Sequence, residues 1–245
     1  MKIKKRLDIA IQEKNPDLSR TYIQSLIMQG KVFVNGEVCS KAGSTVTDED
    51  EIEVRAEEQK FVSRGGYKLE KALDYFDINV AGLVALDSGL STGGFSDCLL
   101  QRGIKKIYGV DVGHGQVHEK IRNDKRVVLL EKTNLRHLEK LPELVDLVTL
   151  DLSFISILKV MPAVSKLLKD NGKIIALIKP QFEAERKDIS KGGIVKSETV
   201  HKKVIEKIKI GMKEFSFEMI DVTESPIFGA SKGNKEFLAL FEPTT

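Results

Sequence analysis

Apolar and polar residues are distributed along this chain in two distinct patterns, and the change between them falls near residue 60. Residues 4–56 combine two stretches of helical spacing with several short strand-like runs, as in a small α+β unit. Beyond them, apolar strands and amphipathic helices follow one another in turn, which predicts a doubly wound, mostly parallel α/β sheet of the Rossmann-like kind. The pattern therefore predicts two domains, at 1–58 and 67–245, joined by a linker at 59–66.

The first unit carries clear helix and turn signals. Ser19 is placed to cap the second helix and Gly30 to end it, and Asn35-Gly36 between two short apolar runs predicts a tight β-hairpin. The elements expected in this unit are a helix starting at Leu7, a helix over Arg20–Gln29, and strands at Lys31–Val34, Glu37–Cys39 and Glu51–Arg55.

The second unit is expected to hold seven strands and four helices after an initial helix near Lys68. The last two strands have a loop and no helix between them, which predicts an antiparallel hairpin at one edge of the sheet. The predicted strands are Leu83–Asp87, Lys106–Asp111, Val127–Glu131, Leu144–Asp151, Lys173–Lys179, Phe215–Thr223 and Glu236–Phe241, and the predicted helices are 93–102, 115–122, 155–169 and 198–213.

The composition, 41% hydrophobic and 31% charged residues, is that of a globular protein, and no apolar run is long enough to span a bilayer. The basic start lacks the apolar segment of a secretory signal, and two cysteines suit a reducing compartment. We therefore expect a cytoplasmic protein without membrane association. The net charge of +3 does not by itself indicate nucleic acid, but residues 1–47 carry eight Lys and Arg against four Asp and Glu, a modest basic surface.

A glycine-rich turn follows the first strand of the second unit and leads into a helix. Glycines let the backbone approach a ligand closely, and the free N–H groups at the start of the helix favour a nucleotide-like cofactor. The spacing fits the turn of S-adenosylmethionine (SAM) methyltransferases better than the G-x-G-x-x-G fingerprint of dinucleotide sites. The cofactor-binding residues expected in this turn are Asp87, Gly89, Ser91, Thr92, Gly93 and Gly94.

Two further residues are expected to contact the cofactor. Asp111 ends the next strand, where an acid accepts hydrogen bonds from both ribose hydroxyls of a nucleoside. Asn134 follows the third strand and is placed to hydrogen-bond an adenine edge. An NAD-linked oxidoreductase would use an acid at the same position, so Asp111 indicates a nucleoside but does not distinguish SAM from NAD. The glycine spacing makes NAD the weaker alternative.

Four charged residues occupy positions where a buried strand or helix favours apolar side chains. Asp151 and Lys179 end strands, Glu236 begins the last strand, and Lys68 lies on the helix before the glycine turn. Buried charges are costly unless they are paired, and an antiparallel edge strand brings its start to the carboxyl ends of the parallel strands. We therefore expect the four to meet at one place; four independent surface ion pairs are the alternative.

The first unit, with SRTYIQSLIMQGKVFVNG at its centre, resembles the small RNA-binding domain named after ribosomal protein S-four. The resemblance covers roughly residues 4–60 and implies contacts to RNA backbone and shape rather than to bases. A unit that only caps the larger domain and binds nothing is the alternative. The expected RNA-facing residues are Lys4, Lys5, Arg6, Arg20, Gln24 and Lys31, with Arg64 from the linker.

Lys68, Asp151, Lys179 and Glu236 together resemble the tetrad of ribose 2′-O-methyltransferases of the FtsJ type. The resemblance implies that Lys179 acts as a base or steers the hydroxyl, that Asp151 and Glu236 orient it, and that Lys68 adjusts the charge around it. An in-line approach of the ribose hydroxyl to the SAM methyl group would supply much of the acceleration.

Both units together resemble the TlyA family, haemolysin-labelled proteins that act as rRNA 2′-O-methyltransferases. Leu90 departs from the family pattern, as a bulkier residue expected beside the cofactor. The resemblance implies that the methyl acceptor is a cytidine ribose in small- or large-subunit rRNA, and that the partners are ribosomal RNA or ribosomal subunits. The matching segments are KKRLD, LIMQGKVFVNG, FVSRGGYKLEKAL, STGGFSDCLLQRG, YGVDVGHGQ, LDLSFIS, IKPQFE, KGGIVK and GNKEFL.

Two other classes of function stay open. A membrane-active haemolysin is opposed by the lack of an apolar or strongly amphipathic segment, and a non-catalytic rRNA-binding assembly factor is opposed by the intact tetrad. No metal site is expected, since His114 and His118 lie four residues apart on a possible helix without a third ligand.

Overall fold

The computed structural model describes residues 4–16, 18–55, 60–229 and 233–244, and it divides the chain into two compact units, Met1–Lys60 and Phe61–Thr245. The first residue of the expected linker, Gln59, and the end of the first predicted domain, 56–58, lie outside the described residues. Among the helices of the described residues, none has both the length and the apolar character needed to cross a bilayer.

The first unit packs two helices over short strands, and its core is formed by Leu7, Ile11, Ile23, Ile27 and their neighbours. β3, β2 and β5 form an antiparallel sheet in that order, and β1 pairs with β4. The elements of this unit are β1 (Lys5–Arg6), α1 (Leu7–Lys14), α2 (Arg20–Met28), β2 (Val32–Val34), β3 (Glu37–Val38), β4 (Thr45–Val46) and β5 (Ile52–Val54).

The cap and the turn predicted in this unit are confirmed. Ser19 Oγ accepts the backbone N–H of Tyr22 at 3.2 Å at the start of α2, and Gly30 takes a positive φ just after its end. Asn35 and Gly36 have φ values of 53° and 82°, the conformation that a two-residue hairpin turn requires.

The second unit is built on a seven-stranded sheet with the order β11-β12-β10-β9-β6-β7-β8. The five strands from β10 to β8 are parallel, and β12 is antiparallel to both β10 and β11, which confirms the predicted fold and its edge hairpin. The elements are α3 (Gly65–Tyr75), β6 (Val84–Ser88), α4 (Gly94–Gln101), β7 (Lys106–Val110), α5 (Glu119–Arg122), β8 (Val127–Leu130), β9 (Val145–Leu150), α6 (Met161–Leu167), β10 (Leu168–Ile178), α7 (Pro180–Glu183), α8 (Glu198–Lys213), β11 (Phe217–Glu224) and β12 (Phe237–Pro243).

The junction between the units differs from the predicted linker. Phe61 is buried in the core of the second unit, where it covers Gly66; a Cβ on that glycine would overlap the Phe61 ring. Because α3 already begins at Gly65, residues 61–66 are part of the second unit rather than a connection to it.

Two predicted helices are shorter than expected. The helix over 115–122 is reduced to α5, because the chain first makes an irregular turn in which Gly115 has a positive φ. The helix over 155–169 becomes a 3₁₀ turn at Ile157–Lys159 followed by α6. Pro162 lies in the first turn of α6, where proline is tolerated and from where it discourages a longer helix on its N-terminal side.

Candidate active site

The glycine turn lies against the end of a neighbouring strand. Gly89 has a φ of 85°, and a Cβ there would overlap the backbone carbonyl oxygen of Asp151, just beyond β9. Gly93 has a φ of 95°, and a Cβ on it would lie 2.9 Å from Ile121. Only glycine can adopt the positive φ and fit the limited space at these two positions. The turn can therefore pack closely on the sheet.

Asp111 connects the glycine turn to the loop after β7. Its carboxylate accepts the N–H of Ser91 at 2.7 Å and the N–H of Gly113 at 2.7 Å, one on each oxygen. The residue is half-buried, and each carboxylate oxygen keeps lone pairs for further donors such as ribose hydroxyls. A backbone cradle without Cβ atoms beside a half-exposed acid fits the nucleoside part of SAM, which these residues would hold.

Asp87, expected to contact the cofactor, lies inside the protein. Its carboxylate accepts hydrogen bonds from Ser96 Oγ at 2.6 Å and Thr149 Oγ1 at 2.8 Å, and burial raises the pKa of Asp87 to about 6. It therefore joins β6 to α4 and β9 beneath the turn and supports the cradle from below.

Asn134 and the exposed part of the turn lie near the same sheet edge. Asn134 Oδ1 accepts the N–H of Arg136 at 3.1 Å, and the preceding Thr133 donates its N–H to the carbonyl oxygen of Asp111 at 2.9 Å. Ser91 and Thr92 are exposed, whereas Gly93 and Gly94 are buried.

Leu90 does not face the cofactor cradle, contrary to the prediction. Its side chain is buried in the core and packs on Gly109 of β7, where an added Cβ would lie 2.8 Å from Leu90 Cδ2. The missing side chain at Gly109 provides the volume that Leu90 fills.

The four charged residues form two ion pairs. Lys179 Nζ lies 2.6 Å from Asp151 Oδ1, and Lys68 Nζ lies 2.5 Å from Glu236 Oε2. Among the described residues, Glu236 forms its ion pair with Lys68, and no ion pair or hydrogen bond joins it to Lys179, which differs from the predicted orientation of Lys179 by Glu236. Three of the four side chains are almost fully buried, so each charge is neutralised by a partner at short range.

Sheet register explains why these residues meet. Ile178, the last residue of β10, pairs in antiparallel fashion with Phe237, the first residue of β12. Lys179, which follows β10, therefore comes close to Glu236, which precedes β12. Asp151 follows β9, which runs parallel to β10. α3 carries Lys68 to the same edge, where it is hydrogen-bonded to Glu236.

Two residues of this cluster were not predicted. Ser153 Oγ accepts a hydrogen bond from Lys179 Nζ at 3.1 Å, and Gln181 Nε2 donates to Glu236 Oε1 at 3.4 Å. The Gln181 Oε1 atom is buried and has no hydrogen-bond partner among the described residues. Both lie within two residues of a tetrad member, in the segments LDLSF and IKPQF, which is the signal that could have identified them.

An exposed aromatic side chain stands next to these residues in the chain. Phe154 is 91% exposed and has a φ of 64°, a left-handed backbone conformation that is unfavourable for a bulky residue. Its ring lies 4.9 Å from that of Phe182, which in turn lies 6.0 Å from Lys179 Nζ. Strained and exposed residues of this kind concentrate at functional sites.

The expected RNA-facing residues fall into three groups. Arg6, Arg20 and Gln24 all donate to the carboxylate of Asp8 in the first unit. Lys4 is exposed, Lys31 is half-buried, and Lys5 pairs with Glu13 at 2.8 Å. Arg64 belongs to the second unit, where it is exposed at the start of α3.

The two histidines have local partners. His114 Nδ1 lies 3.2 Å from Glu131, and His118 Nδ1 accepts the N–H of Lys120 at the start of α5. Within the described residues, no three metal-ligating side chains come together.

The fold, the glycine cradle and the four paired charges define a SAM-dependent methyltransferase joined to an RNA-binding domain. The model of FtsJ-like methyltransferases matches residues 61–242, and that of the S4 domain matches residues 5–52. The chain belongs to the TlyA family of FtsJ-like methyltransferases.

Relatives in this family carry two kinds of name. The chain is 44% identical over 239 residues to Hemolysin A of Brachyspira hyodysenteriae, covering 96% of this chain and 99% of that protein. It is 38% identical over 235 residues to the 16S/23S rRNA (cytidine-2′-O)-methyltransferase TlyA of Mycobacterium tuberculosis, covering 95% and 87%. A solved structure described as a candidate hemolysin from Streptococcus thermophilus has 39% identity and a TM-score of 0.79, covering 98% and 89%.

Proposed function

We propose that this protein transfers the methyl group of SAM to the 2′-hydroxyl of a cytidine ribose in ribosomal RNA. The proposal is carried by two neighbouring ion pairs at the ends of the strands, Lys179–Asp151 and Lys68–Glu236. They lie next to the cofactor turn, because Gly89 of that turn is in contact with the backbone of Asp151. A methyl donor held in the cradle and a hydroxyl held by Lys179 would be neighbours there. The naming of the Mycobacterium tuberculosis relative as an rRNA (cytidine-2′-O)-methyltransferase supports the same substrate.

Lys179 is the group proposed to handle the hydroxyl. SAM, when bound, supplies an electrophilic methyl group. Lys179 Nζ forms an ion pair with Asp151 and donates a hydrogen bond to Ser153, and the ammonium group has a further N–H that it can donate to the ribose oxygen. As an ammonium, Lys179 steers that oxygen; as a neutral amine, it also accepts the hydroxyl proton as the new oxygen–carbon bond forms.

The second ion pair, Lys68–Glu236, stabilises the part of the cluster next to Gln181. Lys68 neutralises Glu236, and Gln181 donates to the second oxygen of that carboxylate. Since Gln181 follows Lys179 by two residues, the Glu236 pair also fixes the backbone that carries Lys179. Paired charges of this kind are preorganised, so they need not rearrange when the hydroxyl reacts.

The aromatic pair suits a nucleoside substrate. The ring of Phe154 is exposed and close to Phe182, so the two offer an apolar surface on which the target base can stack. The basic surface of the first unit supplies contacts to the RNA backbone, which position an RNA without reading its bases. Action on ribosomal RNA implies that the enzyme works in the cytoplasm.

The alternative functions make no use of the paired charges. A membrane-active haemolysin has no role for a buried Lys-Asp-Lys-Glu cluster beside a cofactor cradle. A non-catalytic rRNA-binding assembly factor would not need to keep these ions buried, since buried ion pairs contribute little net stability.

The proposal is tested by incubating the purified protein with methyl-labelled SAM and unmodified ribosomal subunits or free rRNA. We expect label to enter RNA with the natural protein and not with Lys179→Ala, while both bind SAM equally well. Lys179→Arg keeps a steering cation without a ready base, so residual transfer would favour steering over proton abstraction. Leakage of lipid vesicles without any methyl transfer would instead favour a haemolysin, and RNA binding without transfer would favour an assembly factor.

A further inference from the structure

A fully buried carboxylate lies among the residues expected to bind RNA. Asp8, in the first turn of α1, is 0% exposed and accepts six hydrogen bonds from described residues. Arg6 donates from Nε and Nη2 at 3.0 Å to its two oxygens, and Arg20 donates from Nε and Nη2 at 3.1 Å to one of them. Gln24 completes the set at 2.8 Å.

An anion at this place is unexpected on electrostatic grounds. A surface that binds phosphates gains from cations, and a carboxylate opposes the RNA backbone. The Asp8 carboxylate nevertheless stays ionised, because hydrogen bonds from Arg6, Gln24 and Arg20 hold its pKa well below its usual range despite burial. The contacts around Asp8 therefore need an explanation other than charge.

The geometry of Arg6 and Arg20 explains why Asp8 lies at this place. Each donates from its Nε and Nη2 edge to Asp8, and neither Nη1 donates a hydrogen bond to any residue in the described part of the chain. The Arg6 and Arg20 side chains keep 50% and 48% of their surface exposed. Two guanidinium groups on one carboxylate must lie side by side, with their free edges available to solvent.

We propose that Asp8 is a positioning residue of the RNA-binding surface, which holds Arg6 and Arg20 in the orientation that binds two neighbouring backbone phosphates. Arginine side chains lose much rotamer freedom on binding, and a carboxylate that orders them beforehand removes part of that entropy cost. Gln24 then belongs to the support of the arginines rather than to the RNA contacts. The inference rests on the proposed function, in that it assumes RNA binding by the first unit.

The variant Asp8→Asn distinguishes a positioning role of Asp8 from a purely electrostatic one. The two roles predict changes in rRNA affinity in opposite directions. If Asp8 only opposes phosphate, removing its charge makes the full-length protein bind transcribed small-subunit rRNA more tightly, with a steeper salt dependence. If Asp8 positions the arginines, binding becomes about tenfold weaker. The slope of log K against log salt then becomes shallower by about 0.7–0.9 for each phosphate that the arginines no longer bind.

Asp48→Asn is the matched control, since Asp48 is an exposed acid of the same unit and the change in charge is the same. We expect it to leave rRNA affinity unchanged or slightly tighter. Thermal unfolding and SAM affinity of each variant check that both units stay folded. Should Asp8→Asn unfold the first unit, Arg6→Lys and Arg20→Lys keep the charges without the two-point hydrogen bonding to Asp8, and the proposal predicts the same weakening for them.

The outcomes distinguish this inference from the function on which it rests. If the natural protein fails to bind rRNA, the proposed function fails. If the natural protein binds rRNA and Asp8→Asn binds equally or more tightly, with a salt slope like that of Asp48→Asn, the positioning role is overturned. The positioning role is also overturned if Arg6→Lys and Arg20→Lys bind rRNA as tightly as the natural protein.

Discussion

Gly89 of the cofactor turn touches the backbone of Asp151, the acid that pairs with Lys179. The turn expected to hold the methyl donor and the residue expected to orient the acceptor are thus in direct contact. Because the turn cannot move without disturbing Asp151, we expect its position to affect the geometry of the proposed methyl transfer.

Gly89→Ala tests this contact. We expect the added methyl to push the turn and Asp151 apart and to lower methyl transfer on the order of 100-fold, since misplacement of about 1 Å has effects of that size. Gly82→Ala is the matched control, because Gly82 also has a positive φ, of 78°, but has open space around its Cβ position. It should cost about 1–2 kcal/mol of stability through backbone strain and leave the transfer rate intact. Equal rates for the two variants would contradict the account.

The raised pKa of Asp87 predicts a pH dependence of stability. In the unfolded chain Asp87 releases its proton near pH 3.8, whereas in the folded protein it does so near pH 6. Between these values the folded state binds more protons, so this group's stabilising contribution is complete below about pH 4 and is lost as the pH rises to 6. The loss is on the order of 3 kcal/mol.

Urea unfolding of the natural protein and of Asp87→Asn from pH 4 to 7 measures this contribution. The free energy of unfolding of the natural protein should fall relative to that of the variant as the pH rises through this window, and then run parallel above it. Parallel curves over the whole range would show that Asp87 does not titrate in the folded protein as proposed.

Replacing Phe154 should affect the stability and the activity of the protein in opposite directions. Asn tolerates the left-handed conformation better than Phe, so Phe154→Asn should raise the free energy of unfolding by roughly 1 kcal/mol. Loss of the stacking surface should at the same time lower methyl transfer to rRNA about tenfold or more. Phe154→Tyr, which keeps a ring, is expected to retain activity. An active and stabilised Phe154→Asn protein would argue against a stacking role.

Much of this architecture could be predicted because its signals are local. The strands of the sheet are apolar runs between turn residues, and their predicted ends lie within a few residues of those observed at β6, β7 and β9. The gathering of Asp151, Lys179 and Glu236 follows from the rule that parallel strands share their carboxyl edge. The pairing of β1 with β4 could not be predicted, since two-residue strands contain no alternation.

What could not be predicted depends on packing between distant segments. That Leu90 turns into the core follows from the space above Gly109, which lies on a different strand. The choice of Lys68 rather than Lys179 as the partner of Glu236 depends on the position of α3 on the sheet. The convergence of Arg6 and Arg20 on Asp8 joins two helices whose spacing the sequence alone does not specify.

The atom of the RNA that receives the methyl group decides whether the enzyme is a ribose 2′-O-methyltransferase. RNA methylated by the natural protein with labelled SAM is digested to nucleosides, and the labelled product is identified by mass spectrometry, with Lys179→Ala as the control. We expect label on the ribose of a cytidine, as 2′-O-methylcytidine, with the natural protein and none with the variant. Label on a base, or unchanged ribose methylation by Lys179→Ala, would contradict this expectation.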